Sequence, residues 1–319
     1  LQDVAGRPLD QAVAMLRHSF RFDAGSGIGE LARAVNNGDA QRAQAVLASR
    51  DYPDVHSVNL PAGEWRPLSA LALGDGDTVP ARGYRHYLEL LAATSSTRPT
   101  LADTRDAWDA WAAGILRAHG EFQLLTALRQ GDYGVEALNL RIEQALARAG
   151  LIRNAGASRG STPRDAGDSP WYEGRPVMVT GNDYGLRLMN GDIGIALEAP
   201  VDFTRPERGS ALRVAFPAGD GQGGIRWVLP SRLQQVETVY AMTVHKSQGS
   251  EFVHTALVMP DAMSPVLTRE LVYTAVTRAR QHFTLLCAGD EMLKQAVVRQ
   301  VSRQSQLFSI SAPGARLTG

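Results

Sequence analysis

Three short runs near the C-terminus, Val239 to Met242, Thr255 to Met259 and Phe283 to Cys287, are apolar without alternation. A strand with one face in water shows a polar residue at every second position. A strand that is apolar throughout has both faces covered, the condition of a parallel sheet with helices on either side. These runs direct the last part of the chain towards an α/β architecture, with helical segments expected between the strands.

Elsewhere the chain follows two other patterns. Leu9, Val13, Leu16 and Phe20 recur at helical spacing, Gly29 to Asn36 is a second helical run, and Gly38-Asp39 opens a third that ends at Leu47. Further helices are expected over Arg82 to Ala93, Leu101 to His119 and Gly134 to Ala149. Trp108 and Trp111, on one face of such a helix, read as core anchors rather than stacking platforms. From Asn154 to Ser169, Gly, Ser, Pro, Asp and Arg dominate without apolar periodicity, the composition of a mobile loop. After it come short strand-like runs, Pro176 to Thr180, Leu186 to Leu188, Gly194 to Leu197, Leu212 to Phe216 and Ile225 to Leu229, divided by turn residues. Asn190-Gly191-Asp192 is a strong turn signal, because Asn and Gly accept positive φ at low cost. The pattern predicts a small β-barrel inserted into the α/β unit. Residues 1–153 and 237–319 form the expected α/β domain, 154–169 a linker and 170–236 the barrel.

With 319 residues, 44% of them hydrophobic, the chain can bury one large or two smaller cores. No run approaches the roughly 18 apolar residues that span a bilayer, and no signal-peptide pattern opens the chain, so no membrane partner and a cytoplasmic location are expected. The single Cys287 excludes an internal disulfide and a multi-cysteine metal site, and reads as a small hydrophobe in a buried strand. Because 33 basic residues balance 33 acidic ones, any nucleic-acid binding must come from a local patch rather than a global field. The histidines show no metal-ligand spacing.

Polar chemistry concentrates in Tyr240 to Phe252, Tyr-Ala-Met-Thr-Val-His-Lys-Ser-Gln-Gly-Ser-Glu-Phe. It follows an apolar strand, and open α/β sheets bind ligands beyond the carboxyl ends of their strands. A strand should end and a helix begin within Thr243 to Gly249. Thr243, His245 and Lys246 suit a phosphodiester backbone, whereas Gln248, the Gly249 amide and Glu251 suit a nucleotide's phosphate or ribose on the opposite side. In purely structural terms Thr243 is a helix N-cap and His245-Lys246 are surface residues. A second block, Arg269 to Arg280, reads Arg-Glu-Leu-Val-Tyr-Thr-Ala-Val-Thr-Arg-Ala-Arg. On a helix Arg278 and Arg280 would point to roughly opposite sides, so they cannot both meet one phosphate. A structural ion pair is the expected role of Arg280. Neither lysine, Lys246 or Lys294, follows a glycine, so the chain has no Gly-Lys-Ser/Thr phosphate loop. Asp290-Glu291 imitates a magnesium-holding pair but reads as the acidic first turn of a helix, and Asp261 as a turn residue after a strand.

Together the two blocks resemble the C-terminal motor motifs of superfamily 1 DNA helicases. Ser19-Phe20-Arg21-Phe22-Asp23, Ser26-Gly27-Ile28-Gly29, Trp171 to Asp183 and Asn190 to Gly194 extend the resemblance to the RecD family, the alpha subunits of exodeoxyribonuclease V. That resemblance implies a second RecA-like motor domain with an inserted SH3-like barrel, the C-terminal half of a 5′-to-3′ helicase. ATP and Mg²⁺ would be bound mainly by an N-terminal half, so this part alone is expected not to hydrolyse ATP. The resemblance implies that Arg278 and Arg21 reach the phosphates and that Gln248, Gly249 and Glu251 border the nucleotide. Thr243, His245, Lys246 and Asn182 would meet single-stranded DNA. The implied partners are RecB and RecC, and the implied process is double-strand-break repair by recombination. A self-standing or relaxase-type helicase and a non-catalytic DNA-binding or assembly module are the rival readings. Residue by residue, the structural alternatives are an ion pair with Glu270 for Arg278, a cation–π contact for Arg21 and a turn role for Asn182.

Overall fold

The structure, a computed structural model, describes residues 25–75, 83–93, 98–152, 171–219 and 224–301. At its centre is a five-stranded sheet in the order β1 (Val55–Asn59), β10 (Ala279–Cys287), β9 (Phe252–Val258), β2 (Phe122–Thr126), β8 (Ala241–Thr243), with every neighbouring pair parallel. Side chains alternate between its faces. Leu124, Ala241, Ala256, Val258 and Leu286 enter one core with α3 (Arg66–Leu73), α4 (Arg85–Ala92), α5 (Arg105–His119) and α6 (Val135–Arg148). Leu125, Met242, Leu257, Leu285 and Cys287 enter the other with α1 (Gly27–Asn37), α2 (Ala40–Ala48), α7 (Arg269–Val276) and α8 (Asp290–Val298). The continuous apolar runs are therefore covered on both faces. Trp108 is buried in the first core, edge-on to Trp111 with ring centroids 5.6 Å apart. Among the described residues, no helix is long and apolar enough to cross a membrane.

Between α6 and β8 the chain forms an antiparallel sheet in the order β6 (Ile225–Val228), β5 (Ser210–Pro217), β4 (Ile193–Pro200), β3 (Pro176–Val179), β7 (Val236–Thr238). Strands β6 and β7 are its edges, so backbone pairing among the described residues does not by itself close a barrel. One face has its own core of Val177, Val179, Ala196, Val214, Phe216 and Val228. From the other face Ile195, Leu197, Ala215, Ile225 and Trp227 join the first core of the parallel sheet. Trp227 Nε1 donates to Asp109 Oδ1 on α5 at 2.6 Å, so the burial of the indole leaves its polar atom satisfied.

Several expectations are corrected. The 243–249 segment begins no helix: successive turns follow β8, with Lys246 N donating to Thr243 O at 3.0 Å, Gln248 N to His245 O at 3.3 Å and Ser250 N to Ser247 O at 3.0 Å. Gly249, at φ +88°, has a left-handed conformation that interrupts any helical continuation. Helix α7 ends at Val276, which places Arg278 in the following turn and Arg280 in β10 rather than both on one helix. Leu186 to Leu188 is not a strand, since only an isolated bridge joins Asp183 to Leu188. The helix expected around residues 9–20 and the 154–169 loop lie outside the described residues.

The entry to α1 shows how tightly this fold is specified. Asp54 accepts from Gly27 N at 2.9 Å, Ile28 N at 3.0 Å and Ser26 Oγ at 2.8 Å, satisfying helix-terminal donors with a charge that suits the dipole. A Cβ on residue 27 would stand 2.5 Å from both Asp54 Oδ1 and Tyr52 Cβ. Gly27→Ala is expected to lower unfolding stability by about 1–3 kcal/mol, read as a reduced urea midpoint at unchanged m-value.

Histidines mark the sheet as acid-sensitive. His56, His282 and His254 stand on the neighbouring strands β1, β10 and β9, with centroids 6.5 Å and 6.0 Å apart. Burial, followed by repulsion from His282 and His56, lowers the His254 pKa to about 3, and burial lowers that of His119 to about 4. Burial also lowers His56 and His282, against the opposing pull of Asp54. A histidine depressed in the fold takes up its proton more readily when unfolded. Its stabilising contribution is complete above the unfolded pKa and is lost as pH falls through that value towards the folded one. Urea unfolding should show stability falling from about pH 6.5 to about pH 4, each of His254 and His119 adding up to about 1.4 kcal/mol per pH unit. His254→Asn should reduce that slope.

Candidate nucleic-acid and nucleotide interface

The site begins with β8, the edge strand that carries the polar turn. On one side β8 pairs with β2; on the other Asn139 of α6 replaces a neighbouring strand. Ala241 N donates to Asn139 Oδ1 at 2.8 Å, and Asn139 Nδ2 donates to Ala241 O at 3.0 Å. The preceding carbonyl, Tyr240 O, accepts from Gln123 Nε2 at 3.1 Å and from the Tyr84 hydroxyl. The Tyr240 hydroxyl lies 3.1 Å from that of Tyr172. Burial raises the pKa values of Tyr84, Tyr172 and Tyr240, keeping these phenols neutral donors. Strand β8 is thereby held at a fixed height before the turn.

Within the turn, Ser247 is buried and its Oγ donates to Val244 O at 2.8 Å, anchoring the loop from inside. Thr243 Oγ1 accepts from Lys246 N at 3.3 Å, a cap-like bond without a helix behind it. His245, Gln248, Gly249 and Glu251 are exposed, while Thr243 and Lys246 are half-buried. The Lys246 ammonium reaches the antiparallel sheet and pairs with Glu237 Oε1 of β7; Arg129 Nη2 lies 3.8 Å from Oε2 of the same carboxylate.

Arg278 joins the two polar blocks. Its Nε donates to Thr274 O at 3.2 Å, its Nη1 to Ser250 O at 3.0 Å, and its carbonyl accepts from Phe252 N at 2.9 Å. The guanidinium is thus fixed between the end of α7 and the end of the turn. Arg280 is exposed and makes no ion pair among the described residues, contrary to the structural pair expected for it. Asn182 stands apart on the antiparallel sheet, where its Oδ1 accepts from Asn190 N at 2.9 Å and organises its own loop. Arg21 lies outside the described residues. The turn that carries Thr243, His245, Lys246, Gln248, Gly249 and Glu251 runs from the carboxyl end of β8 to the start of β9, where Arg278, just before β10, meets its far end at Ser250. Among the described residues no three His, Cys, Asp or Glu side chains converge to hold a metal ion.

Asn139, Arg129 and Glu237 were not recognised from the sequence. Asn139 had a signal, a polar residue among Val135, Leu138 and Ile142 on the buried side of a helix. Arg129 and Glu237 had none, because their meeting depends on how the two sheets pack.

Comparison with known proteins follows the same geometry. Residues 238–286, from the end of β7 through the turn and Arg278 into β10, match the model for the UvrD-like helicase C-terminal domain. The RecBCD enzyme subunit RecD of Haemophilus influenzae is 32% identical over 302 residues, covering 94% of this chain and 41% of the relative. Its counterpart from Mycobacterium tuberculosis strain H37Rv is 35% identical over 299 residues, covering 93% and 42%. The chain is a RecD homologue. It spans about two-fifths of the length of these curated RecD relatives, consistent with their C-terminal portion. The ATP-dependent RecD2 DNA helicase of Deinococcus radiodurans is 34% identical over 164 residues, covering 51% of this chain and 20% of that protein.

Removing the Asn139 amide would leave both Ala241 backbone groups buried and unpaired. Asn139→Ala is expected to cost about 1–3 kcal/mol in denaturant unfolding and to speed amide hydrogen exchange at Ala241 more than at β9.

Proposed function

We propose that this chain is the C-terminal half of an ATP-driven DNA helicase subunit of the RecD kind. The observation that carries this reading is the bond from Arg278 Nη1 to Ser250 O, which joins the two motif blocks and fixes a guanidinium beside the starts of β9 and β10. In this reading residues 1–153 and 237–319 make the second RecA-like domain, and 170–236 an inserted SH3-like barrel reached through 154–169. ATP and Mg²⁺ belong mainly to a phosphate-loop half outside these 319 residues. The donors and acceptors of Gln248, the Gly249 amide and Glu251 suit the rim of a nucleotide, and Arg278 suits its phosphates. Arg21 would provide the second phosphate-sensing arginine. Hydrolysis of bound ATP supplies the free energy. Residues of this chain sense the nucleotide through Arg278 and hold single-stranded DNA through Thr243, His245 and Lys246, with Asn182 on the barrel.

The turn between Thr243 and Glu251 couples these two tasks. Ser247 anchors its middle and Arg278 its end, so displacement of the arginine is passed to the DNA-facing residues through backbone rather than flexible side chains. A 5′-to-3′ direction, a cytoplasmic setting, assembly with RecB and RecC, and work in double-strand-break repair follow from kinship with RecD. Matches covering 93–94% of the chain to RecD, against 51% to RecD2, favour the complex subunit over the self-standing helicase.

Single-strand-stimulated ATP hydrolysis should be measured on this chain alone and on a polypeptide that also carries the phosphate-loop half. Only the longer protein is expected to be active, and Arg278→Ala is expected to lower its rate by about 10³-fold or more, the scale of arginine-finger losses. A comparable rate in the folded variant would remove Arg278 from the nucleotide site.

A further inference from the structure

We infer that Lys246 and Arg129 form a two-cation seat for one backbone phosphate of single-stranded nucleic acid, and that Glu237 is its built-in competitor. The inference rests on the DNA-path reading above and adds to it a second cation and a control element.

The seat is defined by three elements that the sequence keeps far apart. Lys246 stands in the turn after β8, Arg129 in the loop after β2, and Glu237 on β7, an edge of the antiparallel sheet. Each cation addresses a different oxygen of the same carboxylate, Lys246 at Oε1 and Arg129 at Oε2, the latter at 3.8 Å. The two non-bridging oxygens of a phosphodiester have nearly the span of the two carboxylate oxygens. Cations arranged about one are therefore arranged for the other, and the arginine adds planar donors suited to phosphate.

Stability does not account for this arrangement. The side chains of Lys246 and Glu237 are 28% and 27% exposed and that of Arg129 is 66% exposed, and ion pairs this open to water contribute little to folding. Their accessibility instead allows exchange of one anion for another. While Glu237 occupies the seat, much of the local positive charge is neutralised, which weakens indiscriminate capture of phosphates. A strand already held by the remainder of the path presents its phosphate at high local concentration and displaces the carboxylate. Because Glu237 belongs to β7, the exchange also loosens an ionic tie between the two sheets at the moment DNA is bound.

The test is an anisotropy titration of a labelled oligothymidylate with the protein over a range of salt concentrations. Glu237→Gln is expected to tighten binding about 5- to 10-fold at low salt. It should also steepen the plot of log affinity against log salt by roughly 0.7, the increment for one additional phosphate neutralised on a single strand. In a background lacking both Lys246 and Arg129 the same substitution should give no gain. Glu207→Gln, which removes the same charge from an exposed position in the 3-10 turn between β4 and β5, should change neither quantity. Unchanged or weaker binding by E237Q, or an equal gain from E207Q, would overturn the competitor role while leaving the DNA path intact. Failure of both the wild type and E237Q to bind any single strand would overturn the DNA-path reading itself.

Discussion

The parallel sheet ends in a strand whose outer edge is buried, and a buried edge survives only if its backbone groups find partners. Asn139 supplies both a donor and an acceptor to Ala241, while Gln123 and Tyr84 close around the carbonyl of Tyr240. Each such bond is modest in water but costly to omit in the interior. Much of the candidate site depends on it. The polar turn leaves β8 directly, so the edge satisfied by α6 fixes the position from which Thr243, Lys246 and the anchored Ser247 start.

Two opposed requirements meet in that turn. Its outer residues are exposed to solvent, yet its backbone is pinned in place. Ser247 fastens it from beneath and Arg278 from the side, both through carbonyls of the main chain. The exposed residues His245, Gln248 and Glu251 therefore project from a stiff base. Such a base suits a site that transmits a small displacement between ligands, because motion at one end is not absorbed within the loop.

Much of the fold was legible because local pattern and tertiary environment agreed. The apolar runs at β8, β9 and β10 reported burial on both faces, Asp39 reported the start of α2, and helical spacing reported α1 from Gly29, two residues inside its start at Gly27. Strand β2 was missed although it is central, because Gln123 interrupts its apolar run; that glutamine is buried to serve the Tyr240 carbonyl. Strand β1 was missed because His56 and Ser57 give it an edge-like polarity. The supposed helix after Thr243 failed for a local reason: repeated three-residue turns and a left-handed Gly249 imitate helical spacing over too short a distance. The identities of the clustered site residues were visible in the motifs. The contact between Arg278 and Ser250, and the meeting of Glu237 with Lys246 and Arg129, were not, since long-range packing leaves no periodic trace in a sequence.

The antiparallel sheet shares a core with the main sheet instead of merely touching it. Ile195, Leu197 and Trp227 lie in that common interior, and Tyr87 of α4 donates to Gly174 O at 2.9 Å. A Cβ on Gly174 would approach Leu88 Cδ2 at 2.8 Å. The antiparallel sheet is consequently not a removable cassette. Excising it would strip apolar cover from α4 and α5, and the two sheets should melt as one cooperative unit rather than as independent foldons. A pull applied to the antiparallel sheet would be borne by the parallel sheet behind it.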